Sequence, residues 1–435
     1  MKRQKRHHNA QLAVIGTGLA GFAASIFALE RGITTAQVGN TGAIAYTSGY
    51  FDLLGSLGGD VINDPWQGLD TLRRVEPDHP LSRIGNDEIR TAFDLFTKTV
   101  SAMGIAYTAP GTTNRMALLP AGLAKPTLSV PRTMVAGIEA RETGARALIV
   151  DFVGLQGFSA KEFCANMGPG WPGLSAANVA FPDMESGGTL YAEVMARALE
   201  VPQTRECLAE RIREHIGDAQ YVGLPAILGV HEPDVVHRKM EHLIGLPLFE
   251  IPTLPPAVAG IRLREMFEQA LPENGLTLVA QQKVTRVDFD ATGVTLFLED
   301  NYGDVVIKAE AAILATGRFL SGGLVADRNG VREALLDIAV RQPDNRADWH
   351  RQHYFDTRGH PINRFGIELD DQCRPLDAKR NPVDERLFAA GTVLAHQDWI
   401  RQRCGSGVAI ASAYKAVESA FKIMTNTHDR DVRGK

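Results

Sequence analysis

Cysteine is scarce in this chain: 4 residues in 435, at Cys164, Cys207, Cys373 and Cys404, with no CxxC pair among them. Such spacing supplies neither an iron–sulfur ligand framework nor a recognisable zinc site, and it suits a reducing compartment. Motifs of the HxH or HExxH kind and grouped acidic residues are lacking too, so no metal is expected. There is no surplus of positive charge: 46 basic against 51 acidic residues leave −5, which gives no overall field for capturing DNA or RNA. The basic residues Lys2, Arg3, Lys5 and Arg6 read as a solvated tail, too weak to anchor the chain. No secretory signal is visible, because the apolar stretch from Leu12 lacks a small-residue cleavage site. That stretch, Leu12 to Leu29, runs 18 residues without a charge but carries Gly16, Gly18 and Gly21, which argues against a membrane span. A cytoplasmic protein is expected, peripheral at the cytoplasmic membrane at most, with membrane association only through partners.

What is present is an ordinary globular composition, 44% hydrophobic and 22% charged, over a length sufficient for two or more domains. Residues 11–16, QLAVIG, make a short apolar strand; Leu19 to Arg31 has helical spacing; Ile33 to Val38 returns as a parallel strand. This is a doubly wound strand–helix–strand unit. Between them lies Gly16-Thr17-Gly18-Leu19-Ala20-Gly21. A GxGxxG string alone is a weak signal, but here it follows a strand and opens a helix. Gly16 permits the tight turn, Gly18 clears space for a pyrophosphate and Gly21 brings helix and strand together. The free amides of the helix N-terminus then face the phosphate charge. An acid for the ribose is expected about 20 residues further on, yet the sequence there is Gln37-Val38-Gly39-Asn40, leaving Asn40 as the available polar group.

Later segments complete the pattern. The glycine-rich run from Thr41 to Gly59, including Ser48 and Gly49, reads as a cofactor loop. Residues 84–103 form an amphipathic helix. The proline-rich middle region carries helices at Tyr191 to Arg213, interrupted at Pro202, and at Ile261 to Leu271. Strands resume as LTLVAQQKVTRVDFD, GVTLFLED and DVVIKAEAAILAT, with a turn at Asp300, Asn301 and Gly303. The apolar run Ala311 to Ala315 ends in Thr316 and Gly317, and RLFAAG ends in Gly391 and Thr392. Such strand ends point into a ligand crevice. Gly405, Ser406 and Gly407 then open a final helix to about Thr425, exposing amides suited to a reduced flavin ring.

Together these segments resemble the large FAD-linked reductase and dehydrogenase class, although that class usually has an acid where Thr392 stands. The expected fold is α/β: a Rossmann-like flavin-binding domain split in sequence, with an inserted substrate or cap domain and a small antiparallel sheet. Residues 1–105 form its first part, 106–272 the inserted domain, 273–320 the return, 321–382 a second cap segment, and 383–435 the final flavin-binding segment with the C-terminal helix.

A narrower resemblance rests on Thr47-Ser48-Gly49-Tyr50-Phe51-Asp52-Leu53-Leu54-Gly55, Arg318-Phe319-Leu320-Ser321-Gly322-Gly323-Leu324, Phe365-Gly366-Ile367-Glu368 and Gly405-Ser406-Gly407. These look like the B subunit of anaerobic glycerol-3-phosphate dehydrogenase, from about Leu12 to Ile423. The resemblance implies a flavoprotein in a complex with a second, catalytic flavoprotein subunit and an iron–sulfur electron-transfer subunit. That family oxidises sn-glycerol 3-phosphate, a small phosphorylated alcohol, to dihydroxyacetone phosphate and passes electrons toward quinone, fumarate or nitrate respiration. It is described as FMN-dependent, whereas GxGxxG answers an ADP half. FAD is therefore expected, with FMN the alternative. Oxidising a secondary alcohol needs a base and a hydride acceptor; His396, His353 and His360 are the candidate bases, Arg401 with Arg403 a phosphate clamp, and Arg318 an anion or flavin contact. A stand-alone flavin dehydrogenase of another small acid or alcohol, and a non-catalytic flavin-binding scaffold, remain the other readings.

Overall fold

The computed structural model describes residues 6–40, 42–184, 188–298 and 303–433, with side chains as far as Thr425. Two compact units emerge, one from 1–43, 52–96 and 267–435, the other from 44–51 and 97–266.

The first unit is organised by a five-stranded sheet in the order Thr277–Ala280, Thr35–Gly39, Leu12–Ile15, Ala311–Leu314, Leu387–Ala389, with every pairing parallel. Leu12–Ile15 and Ala311–Leu314 are buried throughout, as apolar runs covered on both faces must be. Strands distant in sequence are neighbours here, so the nucleotide-binding sheet is split as expected. Register pairs Ile15 with Leu314, and Leu314 with Ala389. The turns after these three strands therefore emerge at one edge. The helix Leu19–Glu30 packs on the C-terminal helix Gly405–Arg433 through Phe27 and Tyr414, whose rings meet edge-on at 5.2 Å.

A second sheet pairs Val284–Asp290, Gly293–Leu298 and Val305–Ala309 antiparallel, as expected, and adds Arg6–Asn9 parallel to Val305–Ala309. The solvated-tail reading thus fails at Arg6. The open backbone groups of an edge strand are satisfied by any extended partner, whatever its side-chain charge. Lys2, Arg3 and Lys5, and the turn residues Asp300 and Asn301, lie outside the described residues. Residues 321–382, expected as a second cap segment, fall within the first unit. Arg318 donates to the carbonyls of Phe365 and Ile362, and Arg364 pairs with Glu76, which tie this segment to the nucleotide-binding unit.

The inserted unit begins at 97 and ends at 266, with 44–51 added, where the sequence reading places it at 106–272. Its own sheet is wholly parallel, in the order Leu248–Ile251, Tyr221–Pro225, Ala147–Phe152, Leu174–Val179. Strands this short, spread among prolines and helices, leave no periodicity long enough to register. The interrupted helix appears as Ala192–Ala198 and Pro202–Arg213, with Pro202 at the first helical position, where its missing N–H is harmless. No helix among the described residues is long and apolar enough to cross a membrane.

Buried within the second unit, Glu250 meets Arg262 through two contacts of 2.7 and 2.8 Å; it also accepts from Thr133 Oγ1 at 2.7 Å and from the Leu228 amide at 2.8 Å. Burial alone would raise the Glu250 pKa, but the charge and hydrogen bonds of Arg262 hold it below the ordinary carboxylate value. Arg262→Leu is expected to lower the stability of this unit by about 3–5 kcal/mol, because it strands a buried carboxylate. In the parent, Glu250 stabilises above its unfolded pKa and loses that contribution as pH falls through its depressed folded value. The variant's raised pKa reverses the slope, so urea unfolding should show a deficit that narrows between about pH 8 and pH 5. A deficit independent of pH would refute this.

Candidate functional site

At the first turn, a Cβ on Gly16 would run into the carbonyl oxygen of Ala315, and one on Gly21 into the carbonyl of Gly16. Side chains at either position would push neighbouring strands or the helix apart. Gly18 differs: a Cβ there would meet nothing within 4 Å. It is the N-cap of Leu19–Glu30, with no side-chain cap and no acid in the first turn. The helix therefore presents uncapped amides and the positive end of its dipole to open space, which suits an anionic pyrophosphate.

Sequence reasoning missed the brace behind this turn. Gln37, fully buried in Thr35–Gly39, donates from Nε2 to the Gly16 carbonyl at 2.8 Å and accepts from Ser25 Oγ at 2.9 Å. Its amide links turn, helix and strand. The available signal was an uncharged polar residue within an apolar strand. Asn40 follows that strand, exposed, and no carboxylate stands at its place.

The other strand ends meet beside the first. Thr316 Oγ1 is buried without a hydrogen-bond partner among the described residues, an orphan that a bound ligand would satisfy. Ser321 Oγ donates to the Thr316 carbonyl at 2.7 Å and lies beside Gly317, closing the loop that follows. Thr392 lies 3.8 Å from the position a Gly317 Cβ would take. The Gly391 amide donates to Ser412 Oγ at 2.9 Å. Ser406 Oγ accepts from the Asp52 amide at 2.8 Å, Gly407 packs against the Leu53 carbonyl, and Gly405 begins the Gly405–Arg433 helix. Ser48 and Gly49 belong to the second unit, where Tyr107 Oη donates to the Gly49 carbonyl at 2.6 Å. The open space before Gly18, the uncapped helix and the orphan Thr316 hydroxyl all fit the pyrophosphate-bearing half of FAD.

From Gly391 the chain runs to His396, held by Gln397, whose Nε2 donates to the Thr392 and Leu394 carbonyls at 3.1 Å each. His396 has a left-handed backbone, φ 69°, uncommon for a residue with a Cβ. Its amide donates to the Arg364 carbonyl at 2.9 Å. The imidazole Nε2 lies 2.9 Å from Glu368 Oε1. A carboxylate accepts only, so Nε2 carries the proton and Nδ1 keeps its lone pair. Burial lowers the His396 pKa, with Glu368 opposing, so the ring is neutral near pH 7. His396 borders a cavity of 350 Å³ lined also by Arg341, Arg351, Arg358, His360 and Arg364.

The remaining candidates sit elsewhere. Arg318, expected as an anion or flavin contact, has its guanidinium engaged by the Phe365 and Ile362 carbonyls at 2.5 and 2.7 Å, and burial lowers its pKa to about 10. His353 is exposed and does not line the cavity. Arg401 faces Asp398 at 3.5 Å and the Asp356 carbonyl at 3.4 Å, also outside the lining. Glu76, which grips Arg364 and accepts from Gln402 Nε2 at 3.0 Å, left no signal in the sequence. Beside it His79 is neutral, its pKa pushed down to about 4 by burial, and its Nε2 lies 4.0 Å from Cys404 Sγ. Burial pushes the Cys404 thiol up, which makes it a packed thiol and no nucleophile.

Residues 11–408 match the FAD binding domain family. The anaerobic glycerol-3-phosphate dehydrogenase B subunit of Vibrio cholerae serotype O1 (strain M66-2) is 28% identical, over 97% of this chain and 98% of that one. The protein of the same name from Aliivibrio fischeri (strain ATCC 700601 / ES114) is 29% identical over 95% and 96%, and that of Yersinia pestis 28% over 95% and 98%. Among solved structures, 3-ketosteroid delta1-dehydrogenase from Sterolibacterium denitrificans aligns with TM-score 0.43 and 10% identity, covering 95% of this chain and 100% of that one, too distant a likeness to assign any residue.

Two glycine variants should separate ligand space from packing space. Gly18→Val is expected to lose its flavin, read from visible absorption, while its far-UV spectrum stays that of the parent. Gly16→Ala drives a methyl into the Ala315 carbonyl and is expected to lower the melting temperature with or without flavin. Stoichiometric flavin in Gly18→Val would remove the pyrophosphate from this turn.

Proposed function

The chain belongs to the FAD binding domain family, and from that premise we propose that it is the flavin-carrying B subunit of an anaerobic sn-glycerol-3-phosphate dehydrogenase. It is a flavin-dependent oxidoreductase related to that subunit over nearly its whole length. The finer reading assigns it the oxidation of glycerol 3-phosphate to dihydroxyacetone phosphate. The observation that carries this reading is His396 in the wall of an arginine-lined cavity, its Nε2 held by Glu368.

Chemistry at that pair follows from its tautomer. With Nε2–H held by Glu368, Nδ1 is the free base, and it takes the proton of the substrate hydroxyl. Glu368 orients the ring and offsets the charge of the imidazolium that forms. Arg341 and Arg380, at 3.7 and 3.4 Å from Glu368, keep that carboxylate in place. Bound FAD supplies the acceptor for the hydride that leaves carbon. The four scattered cysteines offer no cluster ligands, so in this reading electrons leave through an iron–sulfur subunit toward quinone, with a second flavoprotein subunit in the same complex.

Anaerobic reduction by glycerol 3-phosphate tests the reading. Flavin absorbance should bleach, and turnover with an artificial acceptor should rise when the partner subunits are added. No bleaching in the assembled complex would defeat the assignment; full turnover with quinone by the isolated chain would favour a stand-alone dehydrogenase, and bleaching only through a partner would favour a flavin-binding scaffold.

His396→Gln is expected to retain flavin and lose about 10²–10⁴-fold in kcat/KM. Because the His396 pKa lies below 6.5, the neutral base persists on mild acidification. The acid limb of the parent's kcat/KM profile should therefore fall below pH 6.5, and His396→Gln should lack it.

A further inference from the structure

The four arginines of the cavity wall are not equivalent. Arg364 is gripped by both carboxylate oxygens of Glu76 at 2.8 and 3.0 Å, and Arg358 by both of Asp356 at 2.7 and 3.0 Å. Arg341 faces Glu368 at 3.7 Å. Arg351 is the exception: its Nε donates to the Gly359 carbonyl at 3.1 Å, and among the described residues no carboxylate pairs with it. Its charge helps to lower the pKa of Asp356, but that carboxylate is gripped by Arg358, so Arg351 is the arginine of the wall without a direct carboxylate contact among the described residues.

The backbone of Arg351 is fixed independently. Its amide donates to His360 Nδ1 at 3.1 Å, so His360 carries its proton on Nε2, which donates to the Tyr354 carbonyl at 2.9 Å. Both nitrogens of His360 are therefore engaged by backbone. That ring braces the loop and has no donor left for a ligand. With Nε of Arg351 held and its main chain braced, the two Nη groups of this exposed lining residue remain open to a ligand. A planar fork that no carboxylate grips directly recognises a tetrahedral oxyanion in bidentate fashion.

We propose that Arg351 is the specificity-determining residue that receives the phosphate group of a small phosphate monoester, leaving the alcohol end of the ligand for His396. The volume of 350 Å³ lies near the lower limit of small-molecule pockets, the size of a short phosphorylated polyol. This inference rests on the cavity being the substrate site proposed above.

The test uses the full flavin-loaded chain, with Arg351→Met and Arg351→Lys, and two probes, inorganic phosphate and glycerol 3-phosphate. Calorimetry should show phosphate binding to the parent, weakened about 10- to 100-fold in Arg351→Met. Arg351→Lys, which keeps the charge but not the fork, should fall between them. In turnover, Arg351→Met should raise KM for glycerol 3-phosphate by a similar factor, with little change in kcat and none in KM for glycerol. Equal phosphate binding by parent and Arg351→Met, or no binding by the parent, would overturn the assignment. Arg351-dependent phosphate binding without oxidation of glycerol 3-phosphate would uphold the phosphate site and defeat the proposed reaction. Oxidation with KM unchanged in Arg351→Met would do the reverse.

Discussion

The close approach of two backbones, at the turn after Leu12–Ile15 and the end of Ala311–Leu314, is the constraint on which the candidate site depends. Gly16 lies so near the Ala315 carbonyl, and Gly21 so near Gly16, that a Cβ at either position would separate the strands or lift the helix. Because the contact is backbone to backbone, it aims the uncapped start of Leu19–Glu30 without using a side chain. Gln37 then holds the Gly16 carbonyl from behind, so the turn is rigid before any ligand arrives. Gly18 is left facing open space, and the dipole of the helix is presented where a pyrophosphate would lie.

A different balance governs the cavity. Burial makes His396 neutral, and Glu368 fixes which nitrogen carries the proton. Neither effect would suffice alone: desolvation without Glu368 leaves the tautomer open, and Glu368 without desolvation favours the charged ring. Arg364 joins this geometry to the rest of the unit, since Glu76 grips its guanidinium while its carbonyl holds the His396 amide. The loop that begins at Gly391 thus links the end of the Leu387–Ala389 strand with the His396 imidazole.

The second unit depends on its own core. The ring of Phe249 fills the space left by Gly137 and Gly223, and both oxygens of the buried Glu250 carboxylate are hydrogen-bonded, to Arg262, Thr133 and the Leu228 amide. Such a pair is tolerated in an apolar interior because every remaining lone pair finds a donor.

Local features of the chain were legible before any fold was known. The strand, GxGxxG turn and helix could be read from 11 to 31 because their determinants are adjacent residues, and the antiparallel strands from 284 to 309 showed their alternation and turn for the same reason. The likeness of the loops at 47–55 and 318–324 to a respiratory flavoprotein subunit was equally local. The tertiary structure alone decided how distant residues were paired. His396 and Glu368 are 28 positions apart, and Glu76 and Arg364 are 288 apart; no spacing rule joins them. Arg318 looked suited to an anion in the sequence, but folding placed two carbonyls against it first. The parallel sheet of the second unit stayed hidden because four short buried strands acquire meaning only beside one another. Sequence carries the conformational preferences of neighbours, whereas charge partners and proton positions are set by desolvation and contact, which exist only once the chain has closed on itself.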